Sequence, residues 1–317
     1  MSAAPDATSP GGLKALRSTG SAAVASLVAV TAVWGSTFVI VKTAVERMPV
    51  MDFLAWRFAL ATAVMVVVRP KALLALGRAG WVHAILLGLA LGAGYVTQTY
   101  GLQHTSAADS GFITGMCAVF TPIIAWVVLR RRISGPTWGA VAVATVGLGV
   151  LSLHGLHIGL GDSLTLACAV AYAVQVVGLA EWSAGHDVYA LAAAQLLTVT
   201  VCTTAVAVPT VGLGPPPDAF VWVAVAVTAV LATALAFLVQ TWAQALISAT
   251  RASITLTMEP VFAGLTAWIA GESLGWRVPV GGALVVSAMF LADADRRPGR
   301  GMMRLSRIRR GDSPRSR

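Results

Sequence analysis

A carboxylate and a proline stand side by side inside an apolar run of the sequence, at Glu259 and Pro260. The carboxylate lies about nine residues into this run, or roughly 13 Å deep at the rise of an α-helix. A carboxylate at such a depth must be protonated, paired or hydrated, so it could carry a proton or bind a cationic substrate. The structural alternative is a carboxylate paired with Lys42, with Arg57 or with a backbone group that the proline loosens.

Other polar side chains also lie within apolar runs. Trp34 and Lys42 share one stripe of the first run, and Lys42 could bind an anionic group or Glu259, or extend to the membrane surface. Arg57 follows near the start of the second run, so we expect its partner in a cavity or on another helix. Four further side chains could serve as polar contacts on the apolar wall of a small-molecule site or as hydrogen bonds between helices: Gln98, Tyr172, Gln175 and Gln240.

The sequence contains no motif for catalysis, phosphate binding or metal binding. Its three cysteines cannot pair completely and none has the spacing of a metal site. The pair His154 and His157 is a weak hint of a metal site, and a turn at the outer face is the better interpretation. We therefore expect no cofactor and no metal, and the energy for any activity has to come from a gradient.

One stretch of the chain occurs twice, which predicts two copies of one structural unit. At an offset of 142 residues, Gln98-Thr99-Tyr100, Ser106-Ala107 and Met116 recur as Gln240-Thr241-Trp242, Ser248-Ala249 and Met258. Pro122 and Pro260 recur at an offset of 138, a slip of about one helical turn that keeps the proline on its helix face. Because proline removes a backbone donor and permits bending, both are predicted hinges.

The composition is that of an integral membrane protein. Of 317 residues 57% are hydrophobic and 11% charged, with a mean hydropathy of +0.80, whereas soluble domains have about 25% charged residues. Ten apolar segments can cross a bilayer as helices: about 21–44, 52–68, 80–102, 107–129, 136–153, 162–181, 188–210, 218–243, 250–270 and 276–294. Five spans per copy is an odd number, so the second copy is inverted relative to the first.

The predicted fold is thus an all-α integral membrane protein of ten transmembrane helices, arranged as two inverted five-helix repeats. The chain divides into a polar cytoplasmic leader (1–20), a first repeat (21–153), a second repeat (162–294) and a basic cytoplasmic tail (295–317). In many secondary transporters such repeats enclose a substrate site near the middle of the membrane.

The distribution of basic residues predicts the orientation. With the N-terminus in the cytoplasm, 18 of the 22 basic residues lie on the cytoplasmic side, as the positive-inside rule requires. Both termini are then cytoplasmic, in the plasma (inner) membrane. Nine arginines lie in the tail from Arg296 onward, which could bind anionic lipids or only help to fix the topology. The basic charge does not indicate a nucleic-acid partner; we expect a small-molecule substrate and the bilayer, and a homodimer stays open.

These residues resemble EamA-type members of the drug/metabolite transporter superfamily. The resemblance is carried by Trp34-Gly35-Ser36-Thr37-Phe38 with Lys42, by Phe53-Leu54-Ala55-Trp56-Arg57-Phe58, by Gly111-Phe112-Ile113-Thr114-Gly115 with Pro122, and by Glu259-Pro260-Val261-Phe262-Ala263. It implies ten helices, cytoplasmic termini and transport of small metabolites, often export. Members often have Gly-Glu near the end of the fourth helix, where this chain has Leu129-Arg130-Arg131-Arg132, so the two gates could differ in charge.

The leading functional hypothesis is a secondary transporter that exports a small organic metabolite or drug-like compound by alternating access, with proton coupling as an option. The alternatives are an intramembrane enzyme and a helical membrane receptor or scaffold. The missing catalytic cluster argues against the enzyme, and the inverted duplication argues against the receptor.

Overall fold

The computed structural model describes residues 10–294 except for 106, 131–132, 153–158, 211 and 270–275. Every regular element in this part of the chain is a helix, which confirms the predicted all-helical class. Helices suit an apolar chain because they satisfy every backbone donor and acceptor within the segment. The basic tail, Arg131, Arg132 and the pair His154 and His157 lie outside the described residues.

The helices follow one another with short connections. The first half of the chain contains α1 (Pro10–Val45), α2 (Val50–Val68), α3 (Arg78–Leu102), α4 (Ala107–Gly115), α5 (Cys117–Leu129) and α6 (Gly135–Ser152). The second half contains α7 (Leu160–Trp182), α8 (Val188–Thr210), α9 (Ala219–Ala229), a π-helical segment (Val230–Leu235), α10 (Ala236–Gln244), α11 (Ala249–Leu256), α12 (Glu259–Ile269) and α13 (Arg277–Ala294). Single 3₁₀ turns occur at Ala72–Ala75 and Ser183–Gly185.

Among the residues that the structure describes, six stretches of helix are long and apolar enough to cross a membrane: Thr19–Val45, Val50–Val68, Arg78–Leu102, Leu160–Gly185, Val188–Thr210 and Ala219–Gln244. The remaining predicted spans coincide with shorter apolar helices, at Ile113–Leu129, Gly135–Val150 and Pro279–Ala288, or with the consecutive pair α11 and α12. The multi-pass membrane class follows from the six long stretches. The count of ten crossings stays a prediction.

The repeated methionines mark two helix breaks. Met116 separates α4 from α5, and Thr257 and Met258 separate α11 from α12. Pro260 is the second residue of α12, where its missing N–H would have no partner within the helix. Pro122 lies inside α5, further along than the break at Met116. The two predicted hinge residues therefore differ in their distance from the nearby break.

Contacts between the two halves occur in matching pairs. Helix α3 packs on α7 as α1 packs on α10, α3 on α8 as α2 on α9, and α5 on α7 as α1 on α12. Helices α2 and α8 pack on each other, as do α6 and α13. The repeat matches α1 with α7, α2 with α8, α3 with α9 and α10, α5 with α12, and α6 with α13. Each of these contacts between a helix of the first half and a helix of the second half therefore has a counterpart in which the two halves are exchanged.

Gly35 allows α1 and α12 to approach backbone to backbone. A Cβ built on Gly35 would overlap the carbonyl oxygen of Glu259 and lie 2.8 Å from the amide nitrogen of Ala263. Such close approach through small residues is typical of helices packed in membranes. It fixes the start of α12, and with it Glu259, against the middle of α1.

Candidate functional site

A cavity with an empty volume of about 850 Å³ lies between the two halves, against α1, α3, α7, α10 and α12. Its lining combines apolar and aromatic side chains with a few polar groups, as small-molecule sites do. Eight of the candidates from the sequence line it: Trp34, Arg57, Gln98, Tyr172, Gln175, Gln240, Glu259 and Pro260. Lys42 and Pro122 are not among its lining residues. The structure thus brings most of the predicted set to one place.

Glu259 is the first residue of α12 and borders the cavity. Its carboxylate is placed at the positive end of the helix dipole, which favours a negative charge. Within the described residues the carboxylate accepts no hydrogen bond and forms no ion pair. The cavity is therefore the direction in which this group can meet a proton, water or a substrate.

Lys42 lies in the last turn of α1, away from the cavity. Its Nζ donates a hydrogen bond to the carbonyl oxygen of Thr105 at 3.3 Å, in the turn after α3. A basic side chain in the last turn also favours the negative end of the helix dipole. In the described structure Lys42 binds the backbone of the first half and not Glu259.

Arg57 is buried and joins α2 to two other elements. Its Nε donates to Oγ1 of Thr233 at 2.8 Å, and its Nη2 donates to the hydroxyl of Tyr95 at 3.2 Å and to the carbonyl of Ala232 at 3.4 Å. The guanidinium carbon also lies 4.8 Å from the centroid of the Tyr95 ring, close enough for a cation–π contact. Arg57 thus links α2 to α3 and to the π-helical segment. It forms no ion pair with Glu259 in the described structure.

The π-helical segment is a part of the site that the sequence analysis missed. Within it Oγ1 of Thr233 donates to the carbonyl of Thr228, five residues earlier, at 2.8 Å. The carbonyl of Ala232 accepts Nε1 of Trp34 at 2.8 Å as well as Nη2 of Arg57 at 3.4 Å. Such bulges often occur at functional sites. Thr228 and Thr233 stand five residues apart in an apolar run, but this spacing alone does not distinguish a bulge from an ordinary helix.

Four glutamines form hydrogen bonds between helices on one side of the cavity. Gln240 Nε2 donates to Gln175 Oε1 at 3.4 Å and to Gln244 Oε1 at 3.0 Å. Gln175 Nε2 donates to Gln195 Oε1 at 3.3 Å, and Gln244 Nε2 donates to the carbonyl of Val176 at 2.8 Å. The structural alternative for Gln175 and Gln240 thus describes most of their contacts. Gln195 and Gln244 were not among the sequence candidates.

One acceptor of this cluster remains open. The Oε1 atom of Gln240 is buried and has no hydrogen-bond partner among the described residues. An unsatisfied buried acceptor is costly, and the residue that carries it lines the cavity. Gln240 therefore keeps a place in the candidate site besides its role between helices.

Aromatic rings form a further part of the cavity wall, which we call the aromatic wall: Trp34, Tyr95, Tyr172 and Phe237. Trp34 lies 5.5 Å from Phe237 between ring centroids, and Tyr95 lies 6.0 Å from Phe237 and 5.7 Å from Tyr172. Edge-to-face and tilted contacts of this kind hold rings in fixed orientations. The site therefore combines an aromatic wall, a group of amides and one carboxylate. Its described residues include no group of three side chains that could hold a metal.

Comparisons with known proteins agree with this architecture. A model of the EamA-like transporter family matches residues 21–153 and again residues 159–292. An uncharacterized transporter of Archaeoglobus fulgidus is 31% identical over 242 residues, which cover 75% of each chain. A probable amino-acid metabolite efflux pump of Escherichia coli is 30% identical over 161 residues, or 45% of this chain and 48% of that protein. A solved crystal structure with 17% sequence identity matches 87% of this chain and 99% of its own chain, with a TM-score of 0.72. At this identity the match shows a shared fold and nothing about function.

Proposed function

Since the chain belongs to the EamA-like transporter family, we propose that it is a secondary transporter that moves a small organic metabolite through the central cavity by alternating access. The observation that carries this proposal is the cavity itself, which lies between the two family-matched halves and is lined by rings, amides and the Glu259 carboxylate. The efflux pump of Escherichia coli supports export as the direction.

The proposed architecture is ten membrane crossings in two inverted five-helix repeats, about 21–153 and 162–294. The double family match and the contacts that exchange roles between halves support a twofold relation. With an odd number of spans in each repeat this axis lies in the membrane plane, and rocking of one half against the other opens the cavity to each side in turn.

We propose that the protein lies in the plasma (inner) membrane, with both termini and the turn at Arg130 on the cytoplasmic side. Ser134→Cys on a cysteine-free background should react with an impermeant maleimide only after the membrane is permeabilised, because charge bias fixes the topology. Gly159→Cys, at the start of α7 and thus at the other face, is the control and should react in intact cells. Reaction of the cysteine at 134 in intact cells would reverse the scheme.

Transport is tested in liposomes with compounds selected by thermal shift. We expect at least one small organic compound to stabilise the purified protein and to cross the proteoliposome membrane without covalent change. An imposed proton gradient should drive it above its equilibrium concentration. Chemical conversion of the compound would favour the enzyme, and stabilisation by ligands of which none is transported would favour the receptor.

A further inference from the structure

We propose that Gly94 sets the width of the cavity, and with it the size of the organic molecules that the site admits. It does so by leaving room for the ring of Tyr172 to lie against the backbone of α3. The inference rests on the proposed function in one respect, since it takes the cavity as the substrate site. Gly94 is thus a specificity-determining residue that need not touch the substrate.

A side chain at position 94 would occupy the place of the Tyr172 ring. A Cβ built on Gly94 overlaps the Cε1 and Cδ1 atoms of that ring and lies 3.1 Å from its Cζ. The obstacle is one side of a rigid ring and not the end of a flexible chain, so the ring as a whole has to move. Gly94 itself is buried, in the face of α3 that packs on α7.

The Tyr172 ring is also held at its far end. Its hydroxyl donates to Oε1 of Gln98 at 3.2 Å, and Nε2 of Gln98 donates to Oγ1 of Thr114 at 3.0 Å. The ring of Tyr95 lies edge-on to it, with 5.7 Å between centroids. All four side chains line the cavity. Because α3 blocks the ring from behind, a ring displaced from Gly94 moves toward the cavity and narrows it.

The wall so formed suits probes that carry an organic ammonium group. Aromatic faces attract such cations, and the Glu259 carboxylate on the same cavity has no ion-pair partner among the described residues. The guanidinium of Arg57 also lines the cavity and repels cations, but its effect is common to all three reagents because they carry the same charge. Cys117 lines the same cavity and provides a natural reporter. Its reaction with reagents of graded size measures the opening directly, without a known substrate.

The experiment compares three methanethiosulfonate reagents that carry an ammonium, a trimethylammonium or a triethylammonium group. Proteoliposomes contain the full chain with Cys168→Ser and Cys202→Ser, so that Cys117 alone can react. The quantity measured is the ratio of the rates for the largest and the smallest reagent, in which the intrinsic reactivity of the thiol cancels. The added methyl group of Gly94→Ala overpacks the site and pushes the Tyr172 ring into the cavity, so we expect this variant to lower the ratio by about tenfold or more. Tyr172→Leu should raise the ratio.

Gly92→Ala is the matched control. It adds the same methyl group to the same helix, but its built Cβ meets only the side chain of Val199 at 3.6 and 3.7 Å, which is ordinary contact. The size ratio should therefore equal that of the unchanged chain. If Gly94→Ala does not fold, the double variant Gly94→Ala with Tyr172→Leu decides, because removal of the ring vacates the place of the added methyl group, and its ratio should then equal that of Tyr172→Leu alone.

Equal ratios in the unchanged chain and in both Gly94→Ala and Tyr172→Leu would overturn the inference. A ratio that falls equally in Gly94→Ala and in the control Gly92→Ala would also overturn it, since the effect would then not depend on the Tyr172 ring. Altered ratios in a protein that transports no compound in the liposome assay would support the role of Gly94 and reject the proposed transport.

Discussion

Glu259→Gln is expected to fold and insert normally and to lose proton-driven accumulation of the substrate, while exchange down a gradient continues. Glutamine keeps the shape and the hydrogen-bonding capacity of the side chain but fixes it in a neutral form. If this carboxylate is the coupling group, its proton must be exchanged between the two sides of the membrane as the halves rock. Coupling of about 1–3 kcal/mol corresponds to roughly 5–150-fold in affinity, so we expect accumulation to fall by at least about fivefold.

The structure separates this role from a structural one. A structural Glu259 would stabilise the fold by pairing with Lys42 or Arg57, and its loss would leave that cation stranded. In the described structure Lys42 binds the carbonyl of Thr105, and Arg57 binds Thr233, Tyr95 and Ala232. The melting temperature of Glu259→Gln should therefore stay near that of the unchanged chain, and the addition of Lys42→Met should restore nothing.

Glu46→Gln provides the matched control for the same chemical change. Glu46 is exposed just after α1 and is not among the cavity residues, so its substitution should leave both exchange and accumulation intact. Both variants are measured in proteoliposomes with and without an imposed proton gradient. Normal proton-driven accumulation by Glu259→Gln would eliminate the coupling role, and a large loss of thermal stability that Lys42→Met restores would establish the structural one.

The helical fold could be predicted from the sequence because it depends mainly on the length of the apolar segments and on the polar turns between them. Apolar length and the short polar turns determine where helices begin and end in a membrane protein, and the repeat pointed to two related halves. Even so, the pattern did not show that the segments around Met116 and Met258 are each divided into two shorter helices. The proline beside Glu259 explains the second break, whereas Pro122 lies too far along α5 to explain the first.

The candidate site was partly predictable for a different reason. Polar groups inside apolar runs are costly, so each one indicates a cavity or a partner, and eight of the ten candidates do line one cavity. Which partner each group has depends on helix packing, which spacing along one helix does not reveal. Gln98 and Gln240 occupy equivalent positions of the repeat, yet one binds Tyr172 and Thr114 and the other binds further glutamines.

The π-helical segment could not be predicted, because Val230–Leu235 contains no glycine, proline or charge that would distinguish it from an ordinary apolar helix. The equivalent stretch of the first half lies within the continuous helix α3. What maintains the bulge is tertiary: Trp34 and Arg57 both donate to the carbonyl of Ala232, and Arg57 also donates to Thr233. This leads to a second prediction with a large effect.

Thr233→Val is expected to destabilise the protein more when Arg57 is present than when it has been removed. Valine has the shape of threonine but no hydroxyl, so Nε of the buried Arg57 loses its acceptor and the carbonyl of Thr228 loses its donor. Leaving one buried partner of a hydrogen bond unsatisfied costs about 1–3 kcal/mol, and more for a charged group, whereas replacing both partners by apolar groups of similar shape can be nearly neutral.

Arg57→Met removes the cation, so the double variant Thr233→Val with Arg57→Met should recover part of the stability lost by Thr233→Val. The measurement is the free energy of unfolding in detergent micelles for the four proteins of this double-mutant cycle. We expect a coupling energy of about 1.5 kcal/mol or more, as for close hydrogen-bonded pairs.

Thr228→Val is the control. Among the described residues the Thr228 hydroxyl bonds only to the carbonyls of Ala224 and Val225 in its own helix, so its loss strands no charge. Its effect should add to that of Arg57→Met without coupling. Additive effects of Thr233→Val and Arg57→Met would show that the guanidinium does not depend on the π-helical segment. In that case Arg57 would be free to bind a substrate, the role that we propose for Glu259 and the aromatic wall.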